Sequence, residues 1–302
     1  MRRILKWVGI GLGVLVVLGL LAFGGAVVAF KRAMARVHDV PAEKVAIPTD
    51  EASLEEGKRL VQARACAECH GSDLGGKYAV EDPGLGRIWA PNITSGLGSV
   101  VGGFRDEDWI RAIRHGVKPD GTPTIMMPAD ELFFLSDREL GAVIAYAKSA
   151  PAVDRASQPH EFKPLLQVLG ALGVFPLFTT NHMDHGAARP ADVEPAPTAA
   201  FGEYIARIQC KGCHGAGLAG GPFPGAPPSL PIPANLTPDS DTGLGKWTDA
   251  DFARALREGM RPDGRELNVF MPWKTYAHLN DTEVAALWAY LQSVPAKPFG
   301  SR

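Results

Sequence analysis

Cys66-Ala67-Glu68-Cys69-His70 is a C-x-x-C-H pentapeptide, and it recurs 144 residues later as Cys210-Lys211-Gly212-Cys213-His214. The two copies use all four cysteines of the 302-residue chain. Further matched segments follow each copy at nearly the same offset: Asn92-Ile-Thr94 with Asn235-Leu-Thr237, Pro119-Asp-Gly121 with Pro262-Asp-Gly264, and Met127-Pro128 with Met271-Pro272. A repeat of this length predicts two tandem domains rather than one large fold.

The pentapeptide is the attachment signature of c-type haem. Its two thiols add to the porphyrin vinyl groups, and its histidine supplies the proximal nitrogen to iron. We therefore expect two covalently bound haem c groups, attached through Cys66, Cys69, Cys210 and Cys213, with His70 and His214 as iron ligands. Two disulfides or a zinc site are the alternatives. Zinc would need both C-x-x-C pairs to converge on one metal, whereas each pair lies in its own repeat.

Met127 and Met271 are the predicted distal iron ligands. A methionine there raises the haem potential and suits electron transfer, while an open position suits ligand binding or catalysis. Both methionines stand at matched places and precede a proline, which restricts the conformation of the residue before it. Met126 is the rival in the first domain but lacks the following proline. The remaining candidates, Met34, Met183 and Met260, are predicted to be structural.

Several other side chains are candidates for the haem surroundings. Arginines pair well with carboxylates such as haem propionates, and the candidates are Arg87, Arg111, Arg114, Arg254 and Arg257, with solvated helix-face charge as the alternative. Trp89 and Trp247 are expected to line the haem pockets. His182 and His185 are candidates for ligating a haem in another redox state. The other histidines, His38, His115, His160 and His278, are expected at the surface or in caps.

An uncharged apolar run extends from Val8 to Phe30. Its 23 residues suffice to span about 30 Å of hydrocarbon, so we expect a transmembrane anchor. A cleaved signal peptide is the alternative, because Ala33-Met34-Ala35 resembles a cleavage site. The flanking charges are nearly balanced and do not decide the orientation: Arg2, Arg3 and Lys6 precede the run, and Lys31, Arg32 and Arg36 follow it.

The predicted organisation is an anchor (1–31), a tether (32–51), domain one (52–152), a linker (153–198) and domain two (199–297). Helices are expected over Leu54–Ala65, Asp106–His115 and Ser136–Ala150, with a loop over Gly71–Phe104. The closing helices begin with a capping box at Ser136 and Glu139 and a near variant at Asn280 and Glu283. In the linker, Phe162–Phe178 predicts a helical segment beside or between the domains, or a membrane-surface contact, and Asp184–Thr198 an extended connection.

The stretch Asn235–Gly259, followed by Pro-Asp-Gly and Met271-Pro272, resembles the class I cytochrome c domains in the membrane-bound cytochrome subunits of bacterial alcohol and gluconate dehydrogenases. The resemblance implies a mainly α fold of two tandem class I cytochrome c domains after the transmembrane helix, with His/Met haem. It also implies that the domains lie outside the bacterial cytoplasmic membrane, on its periplasmic face. In domain one, Asn92–Phe104 keeps only part of the central stretch. Those subunits typically carry three haems, and this chain has motifs for two.

We therefore expect a single-pass, membrane-anchored dihaem carrier of single electrons, not an enzyme. A dehydrogenase or a quinol-oxidising complex would be its donor, and a soluble cytochrome or terminal oxidase its acceptor. The alternatives are a dihaem peroxidase, another haem-dependent oxidoreductase, or a tightly bound subunit of a larger respiratory enzyme. A net charge of −2 and a pI near 6.5 argue against nucleic acid as a partner.

Overall fold

The computed structural model describes residues 1–41, 43–189, 192–223 and 230–302. The fold is mostly helical. Its helices are α1 (Arg2–Met34), α2 (Glu51–Ala63), α3 (Cys66–His70), α4 (Asp106–His115), α5 (Ala129–Leu132), α6 (Asp137–Ser149), α7 (Pro164–Ala171), α8 (Ala199–Gln209), α9 (Lys211–His214), α10 (Asp249–Glu258), α11 (Trp273–Tyr276) and α12 (Asp281–Ser293). The strands are β1 (Lys77–Asp82), β2 (Gly86–Ala90) and β3 (Glu161–Phe162), and a 3-10 turn covers Thr179–Asn181. The predicted tether, linker and second domain each include positions outside the described residues: 42, 190–191 and 224–229.

Each half is built on the same crossing of its first and last long helices. In the first half α2 packs on α6, and in the second α8 packs on α12. A Cβ at Gly57 would collide with the carbonyl oxygen of Ala142, and a Cβ at Gly202 with that of Ala286. The missing side chains let the two backbones approach closely. The two crossings hold the C-x-x-C-H turns at equivalent places.

The helix boundaries follow local capping. The Asp50 side chain accepts from the Ser53 amide, so α2 begins at Glu51, three residues before the predicted start at Leu54. It ends at Ala63 because Ala65 takes a left-handed φ of 62° and breaks the helix ahead of α3. The prediction for α4 is confirmed at both ends, and its C-cap Gly116 has a φ of 63°.

The full capping box was predicted at Ser136 and Glu139, but the structure has it at Asn280 and Glu283 instead. Asn280 and Glu283 make the reciprocal pair of bonds at the start of α12. At the start of α6, Ser136 accepts from the Glu139 amide, but the Glu139 carboxylate does not return to the Ser136 N–H. It binds Arg64 instead, and the Ser136 N–H donates to the Tyr204 hydroxyl at 3.0 Å.

The loop predicted over Gly71–Phe104 is wrong over part of its length, because it contains an antiparallel hairpin. β1 pairs with β2 from Lys77 opposite Ala90 to Asp82 opposite Gly86. The Asp82 carboxylate closes the turn by accepting from the amides of Gly84 and Leu85. β3 adds to the other edge of β2. The sheet therefore joins the linker to the first half.

A buried ionic network docks the two halves. The Arg64 side chain is only 1% exposed, and its Nη2 lies 2.8 Å from Glu139 Oε1 and 2.8 Å from Glu283 Oε1. Its Nη1 donates to Gln209 Oε1 at 2.5 Å. Glu283 is also bound by Arg59 at 2.5 Å. Burial lowers the pKa of Arg64, but attraction by the two carboxylates more than offsets it and holds that pKa above its usual range.

Among the described residues, one helix, α1, is long and apolar enough to cross a membrane. Its last turns are covered by α7 and the segment after it. Phe30 is only 2% exposed and packs with Phe162, Leu166, Leu177 and Phe178. The helical segment predicted within Phe162–Phe178 is thus present as α7, and it lies against α1 and the hairpin, beside the first half.

Candidate haem sites

The two C-x-x-C-H histidines are held in the same way. His70 Nδ1 donates to the Pro91 carbonyl at 2.9 Å, and His214 Nδ1 donates to the Ala234 carbonyl at 2.7 Å. The proton on Nδ1 leaves Nε2 as the unprotonated nitrogen, which is the atom that can ligate a metal. Burial lowers the pKa of both rings, so both stay neutral. The arrangement suits an iron ligand in each half.

An Asn-x-Thr triplet directly follows each of these carbonyls in the chain. The Asn92 side-chain oxygen accepts from the Thr94 amide at 2.9 Å, and its amide nitrogen donates to the Val153 carbonyl at 2.6 Å. Asn235 accepts from the Thr237 amide at 2.9 Å and donates to the Lys297 carbonyl at 2.8 Å. Each triplet ties the histidine-binding loop to the chain after the last helix. The sequence contained this signal as part of the repeat, but not its role.

A deep cavity in the second half brings the predicted site residues together. Cys210, Cys213, His214 and Met271 all line it. The rest of its wall is mostly apolar, including Trp247, as predicted for that residue, and these further side chains: Leu236, Leu244, Phe252, Leu256, Tyr276 and Leu287. An apolar cleft with two thiols, one neutral imidazole and one thioether fits a covalently held haem.

In the first half, Met126 and Met127 point to different surroundings. Met127 is half-buried against the large apolar cluster that extends through both domains and that Cys66, Cys210 and Met271 also contact. Met126 has a left-handed φ of 60° and packs with the Phe30 cluster against α1. Its amide donates to the Leu177 carbonyl at 2.7 Å. The strained backbone at Met126 directs the two adjacent side chains to opposite clusters.

All five arginine candidates have an acidic partner in the structure. Arg114 is buried and bound by Glu43 and Asp137, and Arg87 pairs with Glu161 at the hairpin surface, so both are already engaged. Arg257 pairs with Asp281 at 2.5 Å. Arg111 and Arg254, at matched positions, pair with Asp108 at 2.6 Å and with Asp251 at 3.5 Å. Each also keeps a buried Nε without a hydrogen-bond partner among the described residues, as Arg114 does.

The remaining aromatic and histidine candidates have the following surroundings in the structure. Trp89 lies on β2 and packs edge-on against Tyr78, with ring centroids 5.0 Å apart. His185 does not face either C-x-x-C-H turn, because its Nδ1 meets His115 Nδ1 at 3.1 Å and its Nε2 donates to the Thr180 carbonyl at 3.2 Å. His182 is exposed. His115, expected at the surface or in a cap, is buried and bonded to Glu43 at 3.0 Å.

The zinc and disulfide alternatives do not match the geometry. All four cysteines are unpaired thiols, and each C-x-x-C pair stays in its own half. Within the described parts of the chain, no three His, Cys, Asp or Glu side chains are grouped to hold a metal ion. Burial raises the pKa of Cys66 to about 11 and that of Cys210 to about 12.

The comparisons with known proteins divide the chain at the same repeat. Residues 52–146 match the model of cytochrome c oxidase, cbb3-type, subunit III, and residues 199–295 match the cytochrome c model. The chain carries two tandem cytochrome c domains. Together with a dihaem relative, these domains support two covalently bound haem c groups as its cofactors. Electron transfer is the function that such domains imply.

Three curated relatives illustrate the similarity of the two cytochrome c domains. The chain is 28% identical over 83% of its length to the cytochrome c subunit of an alcohol dehydrogenase (quinone) from Gluconobacter oxydans, and 26% over 86% to a fructose dehydrogenase cytochrome subunit from Gluconobacter japonicus. It spans 56% of the length of each of these two relatives. A diheme cytochrome c-type protein from Cereibacter sphaeroides is 27% identical over 82% of this chain and 87% of its own length.

The two attachment turns face the interface between the cytochrome c domains. Glu68, inside the first pentapeptide, accepts from Thr275 Oγ1 of α11 at 2.9 Å. At the equivalent place in the second, a Cβ on Gly212 would collide with the Glu131 carboxylate of α5. Burial raises the pKa of Glu131 to about 7. Each turn thus contacts the short helix after the other domain's Met-Pro pair, which the repeat alone could not predict.

Proposed function

We propose that this protein is a membrane-anchored dihaem cytochrome c that relays single electrons in a respiratory chain and performs no substrate chemistry of its own. The observation that carries the proposal is the matched pair of histidines, each with Nδ1 bound to a backbone carbonyl and Nε2 left for iron. When bound, haem c supplies a one-electron Fe(III)/Fe(II) couple, and a methionine ligand raises its potential.

We assign haem attachment to Cys66, Cys69, Cys210 and Cys213, and proximal ligation to His70 and His214. Met127 and Met271 are the proposed distal ligands. Met271 shares one cavity with His214 and both cysteines of its motif. Met127 packs against the core that the two domains share, whereas Met126 is turned toward α1. Arg111 and Arg254, with their unpaired buried Nε atoms, are the proposed propionate partners.

The anchor is proposed to be α1, uncleaved and inserted once. Phe30 and Met34 belong to the apolar cluster that α7 completes, and the Ala33 carbonyl accepts from Asn181 at 3.0 Å. Cleavage after Ala35 would remove these contacts from the folded protein. The haem domains then stand on the periplasmic face of a bacterial cytoplasmic membrane, the side on which c-type haem is attached.

The proposed donor is a dehydrogenase. The relatives include cytochrome subunits of alcohol, fructose and gluconate dehydrogenases, and the matched region covers most of this chain. A quinol-oxidising complex is the other proposed donor, and a soluble cytochrome or terminal oxidase the acceptor. We infer that the two domains exchange electrons within the chain, and the position of both attachment turns at one interface supports this.

Single-methionine variants test the ligand assignments. In a spectroelectrochemical titration of the full-length holoprotein, Met271→Ala should lower the potential of one haem and leave the other unchanged, and Met127→Ala should do the same for the second centre. Met126→Ala and Met260→Ala are the matched controls, one in each domain, and should leave both potentials in place. Unchanged potentials in Met271→Ala and Met127→Ala would remove both methionines from the ligand set. A large shift in Met126→Ala would reassign the ligand in domain one.

A further inference from the structure

Helix α7 lies across the end of the proposed membrane anchor. It covers a stripe on α1 whose residues are half-buried or buried and spaced by three to four positions: Ala26, Val27, Phe30, Ala33 and Met34. Gly170 allows the close approach, since a Cβ there would lie 3.3 Å from the Phe30 ring and 2.7 Å from Leu177 Cδ1. The α1 residues before this stripe are exposed. The contact therefore begins where the bare apolar helix ends.

The length of the apolar run sets the depth of this contact. The run Val8–Phe30 rises about 34 Å at 1.5 Å per residue, somewhat more than the hydrocarbon thickness of about 30 Å. Its last turn is thus at the lipid–water boundary, and exposed Lys31 and Arg32 follow immediately. Since α7 packs on that last turn, α7 lies at the same level.

The outer side of α7 and its following loop is apolar and exposed. Leu165 is 53% exposed, Leu172 68% and Val174 40%, and we call these three residues the interfacial patch. The segment 164–181 around it contains no charged side chain. An exposed apolar patch of this kind, continuous with a membrane-crossing helix, matches a surface that enters the acyl–headgroup boundary.

Two arginines stand beside the patch. Arg32 and Arg36 line a cavity that Gly173, Phe175 and His182 also line, with one acidic side chain, Asp130, at its wall. Arg36 donates to the Asn181 carbonyl at 3.3 Å. Guanidinium groups at the exit of a membrane helix are placed to bind lipid phosphates.

We propose that α7 and the interfacial patch form a second, non-spanning membrane contact, with the patch in the acyl–headgroup boundary and Arg32 and Arg36 on lipid phosphates. The contact rests on the proposed anchor. It deepens the proposed function, because two contacts fix the orientation of the first cytochrome domain on the bilayer where a single flexible anchor would let it swing.

Site-directed spin labelling of the full-length holoprotein tests the contact. The four native cysteines carry haem in that protein, so a single added cysteine is the labelling site. The variants are Leu172→Cys and Val174→Cys in the patch, Leu97→Cys as a water-exposed control (77% exposed) and Leu15→Cys within the anchor. Collision with oxygen and with a water-soluble nickel chelate is measured in nanodiscs of phosphatidylethanolamine and phosphatidylglycerol.

We expect the patch labels to collide with oxygen at least about twice as often as the Leu97 label, and with nickel at most about half as often. If the patch labels match the Leu97 label while the Leu15 label is lipid-exposed, the second contact is overturned and the anchor stands. A water-exposed Leu15 label would overturn both. Patch labels shielded from both reagents would mean that protein rather than lipid covers the patch, which also overturns the lipid contact.

Discussion

The contacts of Arg64 allow the loss of stability on its removal to be worked out from the structure. The Arg64→Met variant keeps a side chain of similar length but deletes the cation between Glu139 and Glu283. Glu283 retains Arg59 at 2.5 Å, whereas Glu139 stays buried near the Glu283 carboxylate and loses its only ion-pair partner among the described residues. Breaking a buried ion pair from one side costs about 3–5 kcal/mol, mostly because one charge stays uncompensated.

Urea unfolding of the holoprotein, followed by far-UV circular dichroism and haem absorbance, measures this cost. At a slope of about 2 kcal/mol per molar urea, the midpoint should fall by roughly 1.5–2.5 M. Because the network joins both domains, the domains should also separate into two transitions in the variant. Lys148→Met, which removes a solvent-exposed pair with Asp106 at 2.6 Å, is the control and should cost about 1 kcal/mol or less.

The double variant Arg64→Met/Glu139→Gln separates charge from packing. It removes the uncompensated carboxylate, so most of the lost free energy of unfolding should return. The reasoning is refuted if Arg64→Met is no worse than Lys148→Met. It is refuted equally if the double variant is as unstable as the single one, since the loss would then come from packing.

Three further predictions concern stability and processing. In the Glu131→Gln background, which removes the opposing titration of a carboxyl whose pKa burial raises to about 7, acidification from about pH 7.5 to about pH 5.5 should lower the urea midpoint, because burial lowers the pKa of His115 and His185 and the unfolded chain therefore takes up protons first, below about pH 6.5. His115→Gln should make the urea midpoint depend less on pH. An unchanged pH dependence would show that His115 does not carry it. Asn235→Ala should destabilise domain two by about 1–3 kcal/mol, since it removes the side-chain bonds to the Thr237 amide and to the Lys297 carbonyl. The exposed Gln158→Ala is the control, and equal urea midpoints for the two variants would contradict a stabilising role for Asn235. Intact mass spectrometry of the purified protein should find a chain that includes the whole anchor. A chain starting at Arg36 would rule out the proposal that the anchor is uncleaved.

The repeat predicted much of the fold because matched segments report the same local structure twice. The α4 helix with its C-cap Gly116 and the closing helix α6 came out as expected, since each has capping residues and an apolar stripe in its own sequence. The hairpin β1–β2 was missed. Its strands are short, and the repeat comparison has no matching strand in the described part of domain two.

The docking of the domains lay beyond sequence reasoning for a different reason. Arg64 has no counterpart in the repeat, where Ile208 occupies the equivalent position. The sequence indicated only capping-box roles for its partners Glu139 and Glu283. The packed interface shows that both carboxylates contact the one guanidinium of Arg64. The pairing of Asn92 with Val153 likewise depends on how the loop and the chain after α6 meet.

A redox titration of the purified full-length protein, followed by optical and EPR spectra with and without peroxide, tests the central claim most directly. The account predicts two low-spin haems, both with the weak near-infrared band of methionine ligation and neither reacting with peroxide. A high-spin or peroxide-reactive haem would contradict it, because one of the proposed distal methionines would then be absent from iron and the protein would have the open site of an enzyme.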